Sequence, residues 1–192
     1  MDFSSANHVE EALSRLAALL DAADADPIAL LVCGGAALMV QGYVPRTTHD
    51  VDVLTYFSPS IAPDPHLERH VTLPEPVREM VVAVSADMDI DENWLSLGPS
   101  GLVSLGLPDG LISRTARREY GSSLVVHYLD RLDQIHLKLY ASLSREPRHI
   151  QDLLALRPTP EEMRRAKEWV KAVGSDGFLP SDLDGLMEEL GY

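Results

Sequence analysis

The most constraining feature of this chain is the run Ile28-Ala-Leu-Leu-Val-Cys33, six apolar residues that pass without a break into Gly34-Gly35. The run is too short for a globular helix and shows no polar alternation, which predicts a strand covered on both faces. Upstream, Val9, Leu13, Leu16, Leu19 and Leu20 recur at three- and four-residue steps between Ala6 and Ala25. That is the spacing of one buried helix face, and Pro27 ends the helix. Downstream, AALMVQGY returns to helical composition, Gly42 and Pro45 close that short helix, and RTTHD leads into a second strand over 50–54. The opening unit therefore reads strand, Gly-Gly turn, helix, strand.

Beyond this unit, Ser58 to Pro76 holds five prolines among polar residues and predicts an irregular excursion. Pro76 to Ala86 reads as a helix with proline in its first turn, followed by an acidic segment in which Trp94, Leu95 and Leu97 pack locally. GLVSLGLP and SSLVVHYL predict two more strands. After Leu129 the pattern is helical to the end: DRLDQIHLKLYASLS, PRHIQDLLAL, TPEEMRRAKEWVKAVG and SDLDGLMEELG. Thr159, Pro160 and Glu162 mark the start of the third of these as a capping box, and Gly174 stops it. The chain has 192 residues, enough for one core with an appendage and too few for two large domains. We read it as α+β, a mixed β-sheet flanked by helices over 1–130 and a helical C-terminal section over 131–192 packed on that core.

Charge narrows the partners. Sixteen Lys and Arg stand against 30 Asp and Glu, a formal net charge of −14, and such a field repels a phosphate backbone and an anionic lipid surface. Non-specific DNA binding and membrane docking are not expected. No apolar stretch approaches the ~20 residues of a membrane helix. The start MDFSSANHVEE is acidic where a signal peptide is basic, so the expected location is cytoplasmic. The single cysteine, Cys33, leaves no disulfide framework and reads as a small buried core residue.

The candidate chemistry sits at Asp50-Val-Asp52-Val. Side chains on a strand repeat every two residues, so both carboxylates leave one face while the valines enter the other, with Cα atoms roughly 6–7 Å apart. Two carboxylates so placed can share one hard divalent cation of the kind Mg²⁺ represents. Fifteen residues ahead, Gly34-Gly35 opens a helix, where backbone N–H groups can approach phosphate oxygens without a Cβ in the way. Phosphate donors and carboxylate-held Mg²⁺ belong together in phosphoryl and nucleotidyl transfer.

On these residues, GGAALMVQGYVPRTTHDVDVL resembles the signature of the DNA polymerase beta-type nucleotidyltransferase superfamily, a Gly-Gly or Gly-Ser turn followed by D-x-D. ENWLSLGP, HLKLYASLSREPRHIQDLLAL and PTPEEMRRAKEWV extend the likeness. They are similar to bacterial nucleotidyltransferase-like proteins of unassigned role, related to toxins of abortive-infection type toxin–antitoxin systems. The resemblance implies a mixed-sheet nucleotidyltransferase core, a Mg²⁺–nucleotide site, and Asp50 and Asp52 as metal ligands. It also implies an active-site lysine, falling on Lys138, and a later aspartate, falling on Asp152. On a helix advancing about 100° per residue, Arg131, Lys138 and Arg145 form a cationic stripe beside the apolar stripe of Leu132, Ile135, Leu139 and Leu143, suited to triphosphate.

The chain departs from its relatives at two places. His149 stands where they often have a further acid before Asp152, and SLVVHYLD, read as the strand for a third metal-binding acid, carries His127 inside and Asp130 only at its end. Three outcomes stay open: Asp130 or another group completes the site, one metal suffices, or nucleotide is bound without turnover. His49 precedes the acids on the opposite face and reads as a positioning residue. His66 and His70 have helical spacing in a proline-rich segment, and zinc is not expected. The reading is a Mg²⁺-dependent nucleotidyltransferase moving a nucleoside monophosphate from an NTP onto an acceptor, which is tRNA, a protein or a small molecule. Asp50, Asp52, Lys138 and Asp152 are its catalytic residues, and Gly34, Gly35, Thr48 and Lys138 bind the nucleotide. A cognate antitoxin or toxin is the matching protein partner. The alternative is a catalytically inactive nucleotide-binding or antitoxin-like regulatory module.

Overall fold

The computed structural model describes residues 2–59, 67–174 and 180–192. The chain divides into two compact units, residues 1–129 and 130–192. Pro63, Pro65 and His66, which the sequence places in the irregular excursion, lie outside the described residues.

The first unit opens with α1 (Ala6–Ala22), capped by Ser5, whose hydroxyl accepts from the His8 N–H. Its buried face is Val9, Ala12, Leu13, Leu16, Ala17 and Leu20. Each large apolar side chain there contributes about 1.5–3 kcal/mol relative to exposure. β1 (Ile28–Cys33) follows and is buried at every position, as an unbroken apolar run demands. α2 (Gly34–Val40) begins on the first glycine, and β2 spans Val51–Phe57, so the second strand starts one residue after Asp50 and runs three past Leu54. α3 (Glu75–Met88) carries Pro76 in its first turn.

The acidic segment after α3 ends in Trp94, which is fully buried and donates its indole N–H to the Val81 carbonyl at 3.0 Å. β3 (Leu95–Ser96) and a 3₁₀ turn (Gly98–Ser100) come next. GLVSLGLP, expected as a strand, instead forms α4 (Gly101–Leu105). None of its residues is buried, and apolar content without a ladder partner does not make a strand. α5 (Leu111–Arg114), β4 (Ala116–Glu119) and β5 (Leu124–Tyr128) complete the unit.

The five strands form one mixed sheet in the order β3-β2-β1-β5-β4. β1 pairs antiparallel with β2 and parallel with β5, β2 pairs parallel with β3, and β4 pairs antiparallel with β5. β4, the sequence Ala-Arg-Arg-Glu, is exposed throughout, and such a charged edge discourages pairing with another chain. One face of the sheet is apolar. Leu30 and Val32 of β1, Val51 and Val53 of β2, and Leu124, Val126 and Tyr128 of β5 pack there with α1, α3 and Trp94. The register gives the other face Cys33 with Asp52 opposite, and Leu31 with Thr55 and His127 on either side. β2 takes one extra residue opposite the Leu31–Val32 step, a bulge at Leu54.

The second unit comprises α6 (Arg131–Ser142), α7 (Pro147–Ala155), α8 (Pro160–Val173) and α9 (Pro180–Glu189). α8 starts with a full capping box: the Glu162 N–H donates to Thr159 Oγ1, and the Thr159 N–H donates to Glu162 at 2.7 Å. Trp169 of α8 meets His136 and Tyr140 of α6 edge-on, and Lys167 reaches Asp184 of α9 at 2.8 Å. No described helix is long and apolar enough to cross a membrane.

Candidate functional site

The corner between β1, α2 and β2 is built by backbone constraints on both sides of the D-x-D. Phe3 and Thr48 exchange backbone hydrogen bonds at 2.8 and 3.1 Å, and the Val51 N–H donates to the Trp94 carbonyl at 2.6 Å. Asp50 lies between these two anchors. Its carbonyl accepts from the Thr48 hydroxyl at 3.2 Å, so the proton expected to reach a phosphate is engaged within the loop. Thr48 Oγ1 is still an acceptor.

Gly34 and Gly35 face this segment at close quarters. Gly34 has φ +69°, a conformation that favours glycine. A Cβ built on it would overlap Asp52 Oδ2 and lie 3.0 Å from the carboxyl carbon. A Cβ on Gly35 would lie 2.7 Å from Thr48 Oγ1 and 2.9 Å from an Arg46 guanidinium nitrogen. Two consecutive glycines therefore let a carboxylate, a hydroxyl and a guanidinium crowd one stretch of backbone. α2 has only seven residues, so the local cation Arg46 adds more positive charge here than so short a helix supplies. Arg46 lies in VPRTTHD, and its proximity to Gly35 arises only when β2 folds back along β1. The one cue in the sequence was a lone basic residue in the loop that leads into the two acids.

The D-x-D alternation holds in part: Asp52 is on β2 opposite Cys33, while Asp50 stands just outside the strand. Both side chains are half-buried. Among the described residues no group of three His, Cys, Asp or Glu is placed to hold a metal ion. Two carboxylates nevertheless fit Mg²⁺, which commonly takes one or two protein carboxylates and fills its remaining positions with water and substrate phosphates.

The strand next to β2 on its free side is β3, and Ser96 is in register with Asp52. SLVVHYLD supplies β5, which lies beyond β1 and does not neighbour β2. It is a strand, as expected, and carries His127 inside it and Asp130 just beyond its end. Asp130 serves the backbone instead. It caps α6, its carboxylate accepting from the Asp133 N–H at 3.0 Å. His49 is 78% exposed and contacts Asp2 at 2.7 Å, and His70 stacks on Tyr56.

Lys138 and Asp152 come together within the second unit. Lys138 Nζ lies 2.8 Å from Asp152 Oδ2, and the side chains are 8% and 1% exposed. The cationic stripe expected on this helix is internally matched. Arg131 holds Glu162 at 2.6 Å and donates to the Leu156 and Arg157 carbonyls, while Arg145 lies past the end of α6 and pairs with Glu189. Its charge is balanced by acids that the linear pattern did not place beside it. Arg131 in turn holds the Glu162 carboxyl down at about 2. His149, on α7, has a buried Nδ1 with no hydrogen-bond partner. Burial first, then Lys138 and Arg148, lower its pKa from the usual imidazole value.

Comparison with protein-family models, curated proteins and solved structures yields no match to this chain.

Proposed function

We propose that the chain is a nucleotidyltransferase that moves a nucleoside monophosphate from an NTP onto an acceptor and releases pyrophosphate. One observation carries the reading: the Gly34-Gly35 backbone approaches so close to Asp52, Thr48 and Arg46 that a methyl group at either glycine collides with them. A backbone stripped of side chains, beside a carboxylate and a guanidinium, suits triphosphate binding. Asp50 and Asp52 would hold Mg²⁺, which supplies charge stabilisation at the phosphoryl oxygens when bound. The glycine amides and Arg46 orient the phosphates, and Thr48 keeps the Asp50 backbone in place. Lys138 and Asp152, which the resemblance implies as active-site residues, pair with each other inside the second unit and take no step in this reading. The acceptor is tRNA, a protein or a small molecule, and a toxin–antitoxin pairing accompanies the resemblance on which the chemistry rests.

A second reading is favoured by Ser96, a neutral side chain on the strand beside Asp52. In that reading the chain is a nucleotide-binding or antitoxin-like regulatory module without turnover. A titration with non-hydrolysable NTP and Mg²⁺, paired with labelled-NTP transfer in cell lysate, separates the two. The transferase labels an acceptor, and Asp50→Asn with Asp52→Asn lowers labelling at least about a hundredfold while the circular dichroism spectrum is kept. Unchanged labelling in that variant overturns the mechanism. Nucleotide binding without label transfer selects the module.

A further inference from the structure

A cavity of about 490 Å³ opens in the first unit between residues 103–113 and the end of β5, with His127 in its wall. This size falls within the range of small-molecule sites, about 300–1,000 Å³. Leu67, Val103, Leu107, Leu111 and Ile112 make its lining largely apolar. The polar atoms are few, and their proton positions follow from their partners.

Thr115 donates its one hydroxyl proton to the Ile112 carbonyl at 2.8 Å. The 2.9 Å contact between Thr115 Oγ1 and His127 Nδ1 then requires the imidazole to be the donor. His127 is therefore the Nδ1–H tautomer, and its Nε2 carries a lone pair. Burial, and then Arg117 on the neighbouring strand, disfavour the imidazolium form, in agreement with a neutral ring. Ser113 likewise commits its proton to the Gly110 carbonyl at 2.6 Å. Asp109 at the rim is an acceptor when ionised. Among the lining side chains, what the cavity offers a ligand is apolar wall and hydrogen-bond acceptors, and a ligand that engages them brings the donor.

We propose that this cavity binds an uncharged small molecule that lays an apolar ring or chain against the lining and donates a hydroxyl or N–H hydrogen bond to His127 Nε2. His127 is opposite Leu31 and Asp52 opposite Cys33, which puts both on one face of the sheet, with Cα atoms about 12 Å apart. The occupant is the molecule that receives the nucleotidyl group, a step that rests on the function proposed above.

The test uses the full chain with ¹⁵N-labelled histidine, titrated with p-cresol and with 4-methylanisole, which has the same body without the donor. The cresol binds in the millimolar range and shifts the His127 Nε2 resonance, and the ether binds at least about tenfold more weakly. Thr115→Val releases the tautomer and narrows that ratio, and Val103→Trp fills the cavity and abolishes both without touching His127. Equal binding of the two compounds, no binding of either, or an unprotonated Nδ1 in the free chain overturns the proposal. The wild-type comparison decides even if a variant fails to fold. Cresol binding without nucleotidyl transfer to any acceptor sinks the transferase reading and leaves the site. Transfer without cresol binding sinks the site alone.

Discussion

The glycine corner of the first unit and the helix pair of the second both place acidic or basic side chains in partly or fully buried surroundings, by opposite means. In the second unit Lys138 and Asp152 satisfy each other at 2.8 Å with almost no exposure. In the first, Asp50 and Asp52 sit at half-buried positions beside backbone held open by two glycines. A buried pair closes on itself and resists the loss of either member, whereas the glycine corner brings a carboxylate, a hydroxyl and a guanidinium directly against bare backbone. The difference teaches that a cationic stripe in a sequence is poor evidence for an anion site. Arg131, Lys138 and Arg145 all look available along the helix, and each meets an acid in the fold.

The sharpest way to break this comparison is to remove one half of the buried pair. Asp152→Ala leaves Lys138 without its counter-charge and lowers stability by about 3–5 kcal/mol, read from urea unfolding. Lys138→Met combined with Asp152→Leu recovers most of that loss. If Asp152→Ala alone unfolds like the wild type, the pair is not closed as described.

A smaller effect tests the corner. Gly34→Ala forces a side chain into a left-handed conformation, lowering stability by about 1–3 kcal/mol, and pushes on the Asp52 carboxylate. Binding of NTP with Mg²⁺, followed by calorimetry, falls with it, whereas Asp152→Ala acts first on stability. A Gly34→Ala chain with unchanged midpoint and affinity removes the close approach from the functional argument.

The smallest effect is a pH dependence. His149 has its folded pKa held below the ordinary value of 6.5 by burial, then by Lys138 and Arg148, with Glu146 and Asp152 opposing. The unfolded chain therefore binds more protons as pH falls. The stability linked to this group is fully present above about pH 6.5 and is lost as pH drops toward the folded value, at up to about 1.4 kcal/mol per unit of pKa difference. Denaturation midpoints measured across that window fall less steeply for His149→Gln. An equal slope in the two chains shows that His149 titrates as it does when unfolded.

Where a segment carried its own local pattern, its sequence predicted its structure. Six unbroken apolar residues made β1, three- and four-residue leucine spacing made α1, and Thr159 with Glu162 marked the start of α8. The elements that escaped prediction have no such internal pattern. β4 is Ala-Arg-Arg-Glu, and its strand character comes from pairing with β5. β3 is two residues long and exists by its register with Val51 and Asp52. GLVSLGLP has strand-like composition but lies outside the sheet, and it coils into α4. In the candidate site the glycines and acids were legible, because strand periodicity and the need for a bare backbone act locally. Arg46, Ser96 and the His127 cavity were not, since each depends on which strand lies next to which.

The sequence by itself determined that a buried strand runs into a glycine turn and that two acids follow at alternating positions, because these depend on neighbouring residues and the period of the backbone. Only the tertiary structure decided that Arg46 and Thr48 crowd the same glycines, that Asp130 is a helix cap, and that the cations of α6 are already matched. Those outcomes turn on contacts between residues far apart in the chain, and charge, unlike hydrophobic periodicity, has no direction along a sequence that reveals its partner.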